Sequence, residues 1–167
     1  MNGPTLHAGG CRCGAVRFSA ASHTPVPYQL CYCSICRKQQ GGGGFAINLA
    51  ADARTLKVAG KRHLGLYRAE IEDDEHPHCE VSTGERRFCR RCGSALWLYD
   101  PTWPELVHPF ASAIDSDLPV APQKVHLMLK YKASWVEPDI RKGDDAYQLY
   151  PVLSIEDWHK KHGLWVD

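Results

Sequence analysis

Three cysteines follow one another closely in the stretch LCYCSICRKQQGGGG, at positions Cys31, Cys33 and Cys36. Their CxCxxC spacing allows all three sulfur atoms to face a single metal ion. Zinc in a structural site is held by four protein ligands in a tetrahedron, whereas a catalytic zinc keeps one position for water or substrate. The identity of the fourth ligand therefore decides whether this cluster is structural or catalytic.

The residues that could supply a fourth ligand lie far along the chain. Cys79 stands alone in the stretch HPHCEVS, beside His76 and His78, and histidine is a common zinc ligand. If one of these side chains, or another distant histidine, completes the tetrahedron, the cluster is a structural staple. If none does, an exchangeable ligand can take the fourth position, and the three cysteines of the cluster become candidate catalytic residues.

Two further cysteine pairs have spacings that are typical of metal ligands. Cys11 and Cys13 form the motif CRCG, and Cys89 and Cys92 form the motif CRRCG. Residues two apart in a strand point to the same face, so we expect Cys11 and Cys13 to share one face of an N-terminal strand. A CxxC turn brings the other two cysteines together in the same way. Four thiolates saturate a tetrahedral zinc, so the two pairs together predict a structural site.

The cysteine content favours metal ligation over disulfide bonds. The chain has eight cysteines, and all except Cys79 lie in tight groups. The first ten residues, MNGPTLHAGG, contain neither the basic nor the apolar region of a secretory signal peptide. No stretch approaches the roughly 18 continuous apolar residues that span a bilayer. We therefore predict a cytoplasmic protein with reduced thiols, a setting in which closely spaced cysteines more often bind metal.

Length and charge limit the other classes of function. With 167 residues, 44% apolar and 23% charged, the sequence has the composition of one globular domain. The formal net charge of +1 provides no large positive field for binding a phosphate backbone. The basic residues at positions 86–91 are balanced by acidic residues at positions 70–75. We therefore predict neither a nucleic-acid nor a membrane partner, and the sequence carries no indication of the oligomeric state.

Alternation of apolar and polar residues predicts a mainly β fold. Short β-rich stretches are separated by glycine and proline, as in a domain of short antiparallel strands. These stretches begin at Ala15, Gly44, Thr55, His63, Ser94 and Lys124. The segment SIEDWHKKHG predicts one short C-terminal helix, with Ser154 as its N-cap and Gly163 as its end. Ile155 and Trp158 would form its buried stripe.

Three stretches of the chain resemble the ordered signatures of one family, the glutathione-dependent formaldehyde-activating enzymes and centromere protein V. These stretches are GGCRCGAVRF, CYCSICRKQQGG and RRFCRRCGSALW. The resemblance runs over residues 9–97 and continues more weakly to residue 135. It implies an Mss4-like zinc-binding β domain over residues 1–135. Residues 136–167 carry no motif of this family, and we expect them to form a C-terminal extension whose short helix packs on the same domain.

The resemblance also implies that two zinc ions have different roles. A structural zinc would be held by Cys11, Cys13, Cys89 and Cys92, and a second, catalytic zinc by Cys31, Cys33 and Cys36. In the activity for which the family is named, the thiol of glutathione combines with formaldehyde to give S-hydroxymethylglutathione. The family is classed with the carbon–sulfur lyases through the reverse reaction. The expected partner is therefore a small thiol such as glutathione.

A zinc with three thiolates suits sulfur chemistry better than hydrolysis. The three negative charges exceed the two positive charges of zinc, so such a centre acidifies water less than a three-histidine zinc does. It can stabilise a substrate thiolate and present its sulfur to a small electrophile. Arg37 and Lys38 follow Cys36 directly, where they would offset the charge or bind a carboxylate of the thiol. The alternative for this pair is a solvated basic turn.

A non-catalytic, zinc-stabilised binding module is the alternative function. It predicts that a side chain of the protein closes the second zinc site and that the surface carries an interaction site. The centromere-associated relatives suggest such a role. Against it, the chain has no long basic or low-complexity arm that would recruit chromatin.

Overall fold

The structure, a computed structural model, describes residues 3–40 and 42–167. Within these residues it contains fourteen short β-strands and two α-helices, which confirms the predicted mainly β fold with a short C-terminal helix. The helices are α1 (Ser34–Gln40) and α2 (Ile155–Lys161). The strands are β1 (Thr5–Gly10), β2 (Arg17–Ser22), β3 (Gln29–Cys31), β4 (Ala46–Ile47), β5 (Ala51–Asp52), β6 (Lys57–Ala59), β7 (Leu64–Tyr67), β8 (Glu70–Ile71), β9 (Glu80–Val81), β10 (Glu85–Cys89), β11 (Ala95–Tyr99), β12 (Leu106–Pro109), β13 (Val125–Leu127) and β14 (Asp145–Ala146).

Two antiparallel sheets enclose the main core. A three-stranded sheet has the order β1-β2-β6, and a five-stranded sheet has the order β5-β12-β11-β10-β7. Every second residue of β2 is buried, starting at Phe18, as the alternating sequence predicts. The Phe18 ring meets the Trp97 ring of β11 edge-on, with 5.0 Å between the ring centroids. Apolar side chains from both sheets thus form one buried cluster.

The third sheet contains parallel pairing that the sequence did not predict. Its order is β14-β13-β3-β4, and β13 runs parallel to both β14 and β3. The parallel register places Leu127 opposite Cys31. A separate two-stranded hairpin consists of β8 and β9. The third sheet therefore supports the loop that carries the CxCxxC cysteines.

Two of the β-rich stretches form shorter strands than expected. The stretch that begins at Gly44 is divided between β4 and β5, with Asn48 in a single bridge to Phe110. The stretch that begins at Lys124 stops at Leu127, because Met128 adopts a left-handed conformation (φ 60°) that starts a 3-10 turn over Leu129–Tyr131. A left-handed residue cannot continue the extended backbone of a strand.

Helix α1 was not predicted from the sequence. Its seven residues are too few to show a clear helical period, although Arg37, Lys38 and the glutamines are good helix formers. Cys33 precedes the helix, and its sulfur accepts the backbone N–H of Cys36 at 3.3 Å, as the oxygen of an ordinary N-cap residue would. Among the residues that the structure describes, no helix is long and apolar enough to cross a membrane.

Helix α2 forms as predicted and packs against the third sheet. The Ser154 hydroxyl accepts the Asp157 backbone N–H at 3.0 Å, and Gly163 follows the helix with φ 65°. The Trp158 side chain is 1% exposed and stacks on the Tyr28 ring with 3.6 Å between the centroids. Val125 of β13 belongs to the same buried cluster, so apolar contacts join the C-terminal residues to the third sheet. The domain boundary at residue 135 remains a prediction.

Replacing Trp158 with alanine should lower the free energy of unfolding by about 3–5 kcal/mol, the usual cost of removing a large buried aromatic side chain. The matched control is Trp135→Ala, because the Trp135 side chain is 66% exposed. That control should change the free energy of unfolding by less than about 0.5 kcal/mol. Urea unfolding of the zinc-saturated variants, followed by circular dichroism, measures both. Equal losses in the two variants would contradict the packing role of α2.

Candidate functional site

Seven of the eight cysteines gather into two groups, and the sulfur atoms in each group lie within 4.8 Å of one another. The first cluster consists of Cys11, Cys13, Cys89 and Cys92, and the second cluster consists of Cys31, Cys33 and Cys36. All eight cysteines are free of disulfide bonds. The structure therefore brings together the same two sets of cysteines that the sequence assigned to metal ions.

The first cluster is built from two similar turns. One covers residues 11–14 after β1, and the other covers residues 89–93 after β10. In each turn a glycine N–H donates to the carbonyl oxygen of the first cysteine, at 3.1 Å from Gly14 to Cys11 and 2.8 Å from Gly93 to Cys89. Both glycines have a positive φ, 78° and 77°, a conformation that glycine adopts without steric cost. Each turn therefore folds two sulfur atoms toward the same point.

The expected strand position of Cys11 and Cys13 is wrong. β1 ends at Gly10, and the Cys11 backbone N–H donates to the Val16 carbonyl oxygen at 3.0 Å to close the turn. The two sulfur atoms are 3.6 Å apart because the turn brings them together. The glycine after the second cysteine, which both motifs share, is the signal that indicates a turn here as well.

The first cluster joins distant parts of the chain. Cys13 and Cys89 are 76 residues apart in sequence, and their sulfur atoms are 3.8 Å apart. The Arg12 backbone N–H also donates to the Ser94 hydroxyl at 3.1 Å, which links the two turns directly. Cys11 and Cys89 are buried in the main core. This cluster therefore connects the end of β1 to the β10–β11 hairpin.

The second cluster lies between β3 and α1. Cys31 is the last residue of β3, and Cys36 is the buried residue of α1. Ala46, Leu127 and Met128 pack around these sulfur atoms. Cys31 and Cys36 are buried, whereas Cys33 is half-buried. Cys33 therefore marks the side of the second cluster that is open to solvent.

The side chains considered as a fourth ligand do not join the second cluster. In residues 3–40 and 42–167, no further cysteine, histidine or carboxylate atom lies within 4.8 Å of all three sulfur atoms. Cys79 is exposed and belongs to neither cluster. The His76 Nδ1 atom is instead 2.9 Å from the Asp73 carboxylate. The second cluster thus brings three protein sulfur atoms together, without a fourth protein ligand from the described residues.

The cation that contacts the second cluster is Arg86. Arg86 belongs to β10, and its Nη2 atom donates to Cys36 Sγ at 3.6 Å. The Asn48 side-chain amide lies 3.9 Å from the same sulfur. Of the two residues that the sequence singled out, Arg37 is half-buried on α1 and Lys38 is exposed. Their role in binding a substrate remains a prediction.

Hydrogen bonds within the second cluster make its three thiols unequal. The pKa of the Cys36 thiol is held well below its usual range by hydrogen bonds from the Cys31 and Cys33 thiols and by the positive charge of Arg86. The pKa of the Cys31 thiol is raised by its hydrogen bonds with Cys33 and Cys36 and by burial. Cys36 is therefore the thiol of the second cluster whose deprotonated form its neighbours favour most.

A series of buried polar side chains begins at Tyr32, between two cysteines of the second cluster. The Tyr32 hydroxyl lies 2.8 Å from His126 Nδ1, and His126 Nε2 lies 3.5 Å from the Asp144 carboxylate. Backbone N–H groups of Lys124 and Arg141 donate to the same carboxylate. These three side chains link the CxCxxC loop to the residues after position 135. Nothing in the residues next to His126 in the sequence indicates these partners.

Two surface clefts of about 680 and 630 Å³ lie elsewhere on the molecule. The first lies over the five-stranded sheet beside Arg87 and Trp97, and the second lies between Trp103, His108 and the start of α2. Neither cleft is lined by a cysteine of the two clusters. The arrangement of thiols, and not cavity volume, therefore identifies the candidate site.

Comparisons with known proteins point to one family. The family described as glutathione-dependent formaldehyde-activating enzyme matches residues 6–130. A curated protein from Halomonas elongata, provisionally named glutathione-dependent formaldehyde-activating enzyme, is 57% identical over 159 residues, which cover 95% of this chain and 98% of that protein. A crystal structure of a Rhodobacter sphaeroides protein is similar with a TM-score of 0.50 and 26% identity, covering 67% of this chain and 91% of the other.

Changing Cys89 to serine should remove one zinc per chain and lower the free energy of unfolding by more than about 4 kcal/mol, the range typical of losing a metal site. The reason is that Cys89 is a buried member of the cluster that joins β1 to the β10–β11 hairpin. Mass spectrometry of the metal content and urea unfolding measure the two effects. Cys13→Ser, at an exposed position of the same cluster, repeats the test if Cys89→Ser does not fold.

The control for this experiment is Cys79→Ser. Cys79 is exposed and lies outside both clusters, so its loss should change the free energy of unfolding by less than about 0.5 kcal/mol. Its zinc content should equal that of the unmodified protein. Full zinc retention in both Cys89→Ser and Cys13→Ser would show that the first cluster does not hold the metal.

Proposed function

The chain belongs to the family of glutathione-dependent formaldehyde-activating enzymes, and from that premise we propose that it joins the thiol of glutathione, or of a related small thiol, to formaldehyde or another small electrophile. In the reverse direction the same site would break the carbon–sulfur bond, as a lyase. The observation that carries this proposal is the second cluster, in which three protein sulfur atoms converge and the described residues supply no fourth ligand.

The donor atoms of both clusters suit zinc. Cysteine sulfur is a soft ligand that favours zinc over the hard cations magnesium and calcium, and the sulfur atoms of each cluster already lie close enough together to share one ion. The proposed structural zinc belongs to Cys11, Cys13, Cys89 and Cys92, and the proposed catalytic zinc belongs to Cys31, Cys33 and Cys36. When bound at the second cluster, zinc would favour the deprotonated form of a visiting thiol and hold its sulfur beside the electrophile.

The chemistry requires one new bond and one proton transfer. The carbon–sulfur bond forms between the thiol and the aldehyde carbon, and the thiol proton ends on the former carbonyl oxygen, so neither an oxidant nor a reductant is needed. A visiting thiol would approach from the side of Cys33, because Cys31 and Cys36 are buried beneath it. The Ala46 and Leu127 side chains, which pack with Cys31 and Cys36, would keep water away from the buried part of the second cluster.

The charged parts of the substrate would contact the last turn of α1, which carries Arg37 and Lys38. Arg37 lies four residues after Cys33, so it lies on the same side of the helix as Cys33. The carboxylates of glutathione would meet the guanidinium of Arg37 and the ammonium of Lys38. Because Lys38 is exposed, its contribution should be smaller than that of Arg37 and more sensitive to salt.

A non-catalytic binding module accounts less well for the second cluster. That function predicts a fourth protein ligand that closes the site. Within the described residues the group holds three sulfur atoms only, and the histidines near Cys79 lie outside it. The lack of a fourth protein ligand among the described residues therefore favours the enzyme over the binding module.

Changing Cys33 to serine tests the proposal. The unmodified protein should contain two zinc ions per chain and Cys33→Ser about one, with the fold retained, because structural zinc at the first cluster stabilises the fold independently. Exchange between ¹³C-formaldehyde and its glutathione adduct, followed by NMR, measures the acceleration over the uncatalysed reaction. That acceleration should be lost in Cys33→Ser and retained in Cys79→Ser.

Two outcomes would overturn the assignment. Unchanged acceleration in Cys33→Ser would remove the second cluster as the catalytic centre. Unfolding of Cys33→Ser together with loss of both metals would instead favour a structural role for that cluster. A panel of other thiols and aldehydes, tested with the unmodified protein, identifies which substrate is preferred.

A further inference from the structure

Arg86 is a buried arginine whose hydrogen-bonded partner is a sulfur atom. The residue is 8% exposed, and its Nη2 atom donates to Cys36 Sγ at 3.6 Å. Its Nη1 atom is buried and has no hydrogen-bond partner among the described residues. Arginine is rarely buried unless an anion accompanies it. The position of Arg86 therefore calls for a negatively charged neighbour.

No carboxylate provides that negative charge in the described part of the chain. The neighbouring Arg87 differs in this respect, because its Nη2 atom lies 3.7 Å from the Glu85 carboxylate and its side chain is 31% exposed. Arg86 makes no such ion pair, although it follows Glu85 directly. Removing a guanidinium from water without a compensating charge is costly. The thiols of the second cluster are the groups that can compensate it.

Cys36 receives side-chain N–H groups from two separate elements. Arg86 approaches from β10, and the Asn48 amide approaches from the bridge between Asn48 and Phe110. The Cys33 sulfur is contacted instead by the Cys36 backbone N–H. Two side chains from outside α1 thus hold the Cys36 side chain in place. They are Arg86, from the five-stranded sheet, and Asn48, whose backbone is paired with that of Phe110.

We propose that Arg86 is a positioning residue of the second cluster, which orients Cys36 through its N–H group and offsets the negative charge of the thiolates. The inference rests on the proposed metal-binding role of that cluster. Three thiolates and one divalent ion carry a net charge of −1, and the guanidinium brings the sum to zero. A neutral centre repels an incoming thiolate less than an anionic one, so Arg86 favours both metal retention and the binding of a visiting thiol.

Arg86→Gln and its neighbour Arg87→Gln form a matched pair for testing this role. Both changes remove one arginine from β10, but only Arg86 contacts a thiol. Zinc affinity of each cluster is measured by competition with a chromophoric chelator, in the absence of substrate. Arg86→Gln should weaken zinc binding at the second cluster about 10–100-fold, the usual effect of losing an outer partner of a metal ligand. The first cluster should be unchanged, and Arg87→Gln should match the unmodified protein.

Cobalt substitution separates this role from a merely structural one. Co²⁺ bound to thiolates gives sulfur-to-metal charge-transfer bands, and these bands should shift in Arg86→Gln because Cys36 loses an N–H donor. Arg86→Lys keeps the charge but not the planar fork of donors, so it should restore part of the zinc affinity. If Arg86→Gln does not fold, Asn48→Ala removes the other N–H donor to Cys36 and should weaken the same cluster.

The outcomes distinguish this inference from the proposed reaction. Selective weakening of the second cluster in a protein that shows no thiol-dependent turnover would support the role of Arg86 and remove the proposed function. Normal turnover, with unchanged zinc affinity and unchanged cobalt spectra in Arg86→Gln and Asn48→Ala, would support the proposed function and overturn the role of Arg86. Equal weakening of both clusters would also overturn the inference, because it would indicate a general loss of structure.

Discussion

Cysteine sulfur atoms that lie within 4.8 Å of one another repel strongly when they are all deprotonated, unless a cation lies between them. Two such groups occur here, formed by seven cysteines that make no disulfide bonds. A divalent cation at the centre of each group would convert the repulsion into attraction, and its binding energy would then contribute to folding. The tight glycine turns bring the sulfur atoms of the first group together, and the buried Arg86 places a positive charge beside the second group.

Strand β10 connects the two clusters. Cys89, at its end, belongs to the first cluster, and Arg86, three residues earlier, donates to Cys36 in the second. On the other side of the second cluster, Tyr32 and His126 link the CxCxxC loop to Asp144 in the C-terminal residues. The proposed catalytic cluster is thus held by both the β-sheets and the C-terminal extension.

The sequence predicted those features that depend on local spacing. The two pairs and the triplet of cysteines are motifs only a few residues long, and the preference of zinc for four ligands joins the two pairs. Helix α2 follows from its Ser154 cap and buried Trp158. The burial of Arg86 could not be predicted in this way. In a regular strand that buries Cys89, every second residue would be buried, so Arg87 would be buried and Arg86 exposed. A β-bulge between Arg87 and Phe88 shifts the register and reverses that pattern. The parallel pairing of β13 depends in the same way on contacts between distant segments, which no local pattern reports.

Zinc X-ray absorption spectroscopy, with and without glutathione, tests the central claim most directly. In protein loaded with two zinc ions, four sulfur ligands at the first cluster and three at the second correspond to an average of about 3.5 sulfur ligands per zinc. Addition of glutathione should raise this average to about 4, because the visiting sulfur takes the remaining position. A protein nitrogen or a fourth protein sulfur at the second zinc before glutathione is added, with no change afterwards, would contradict the account.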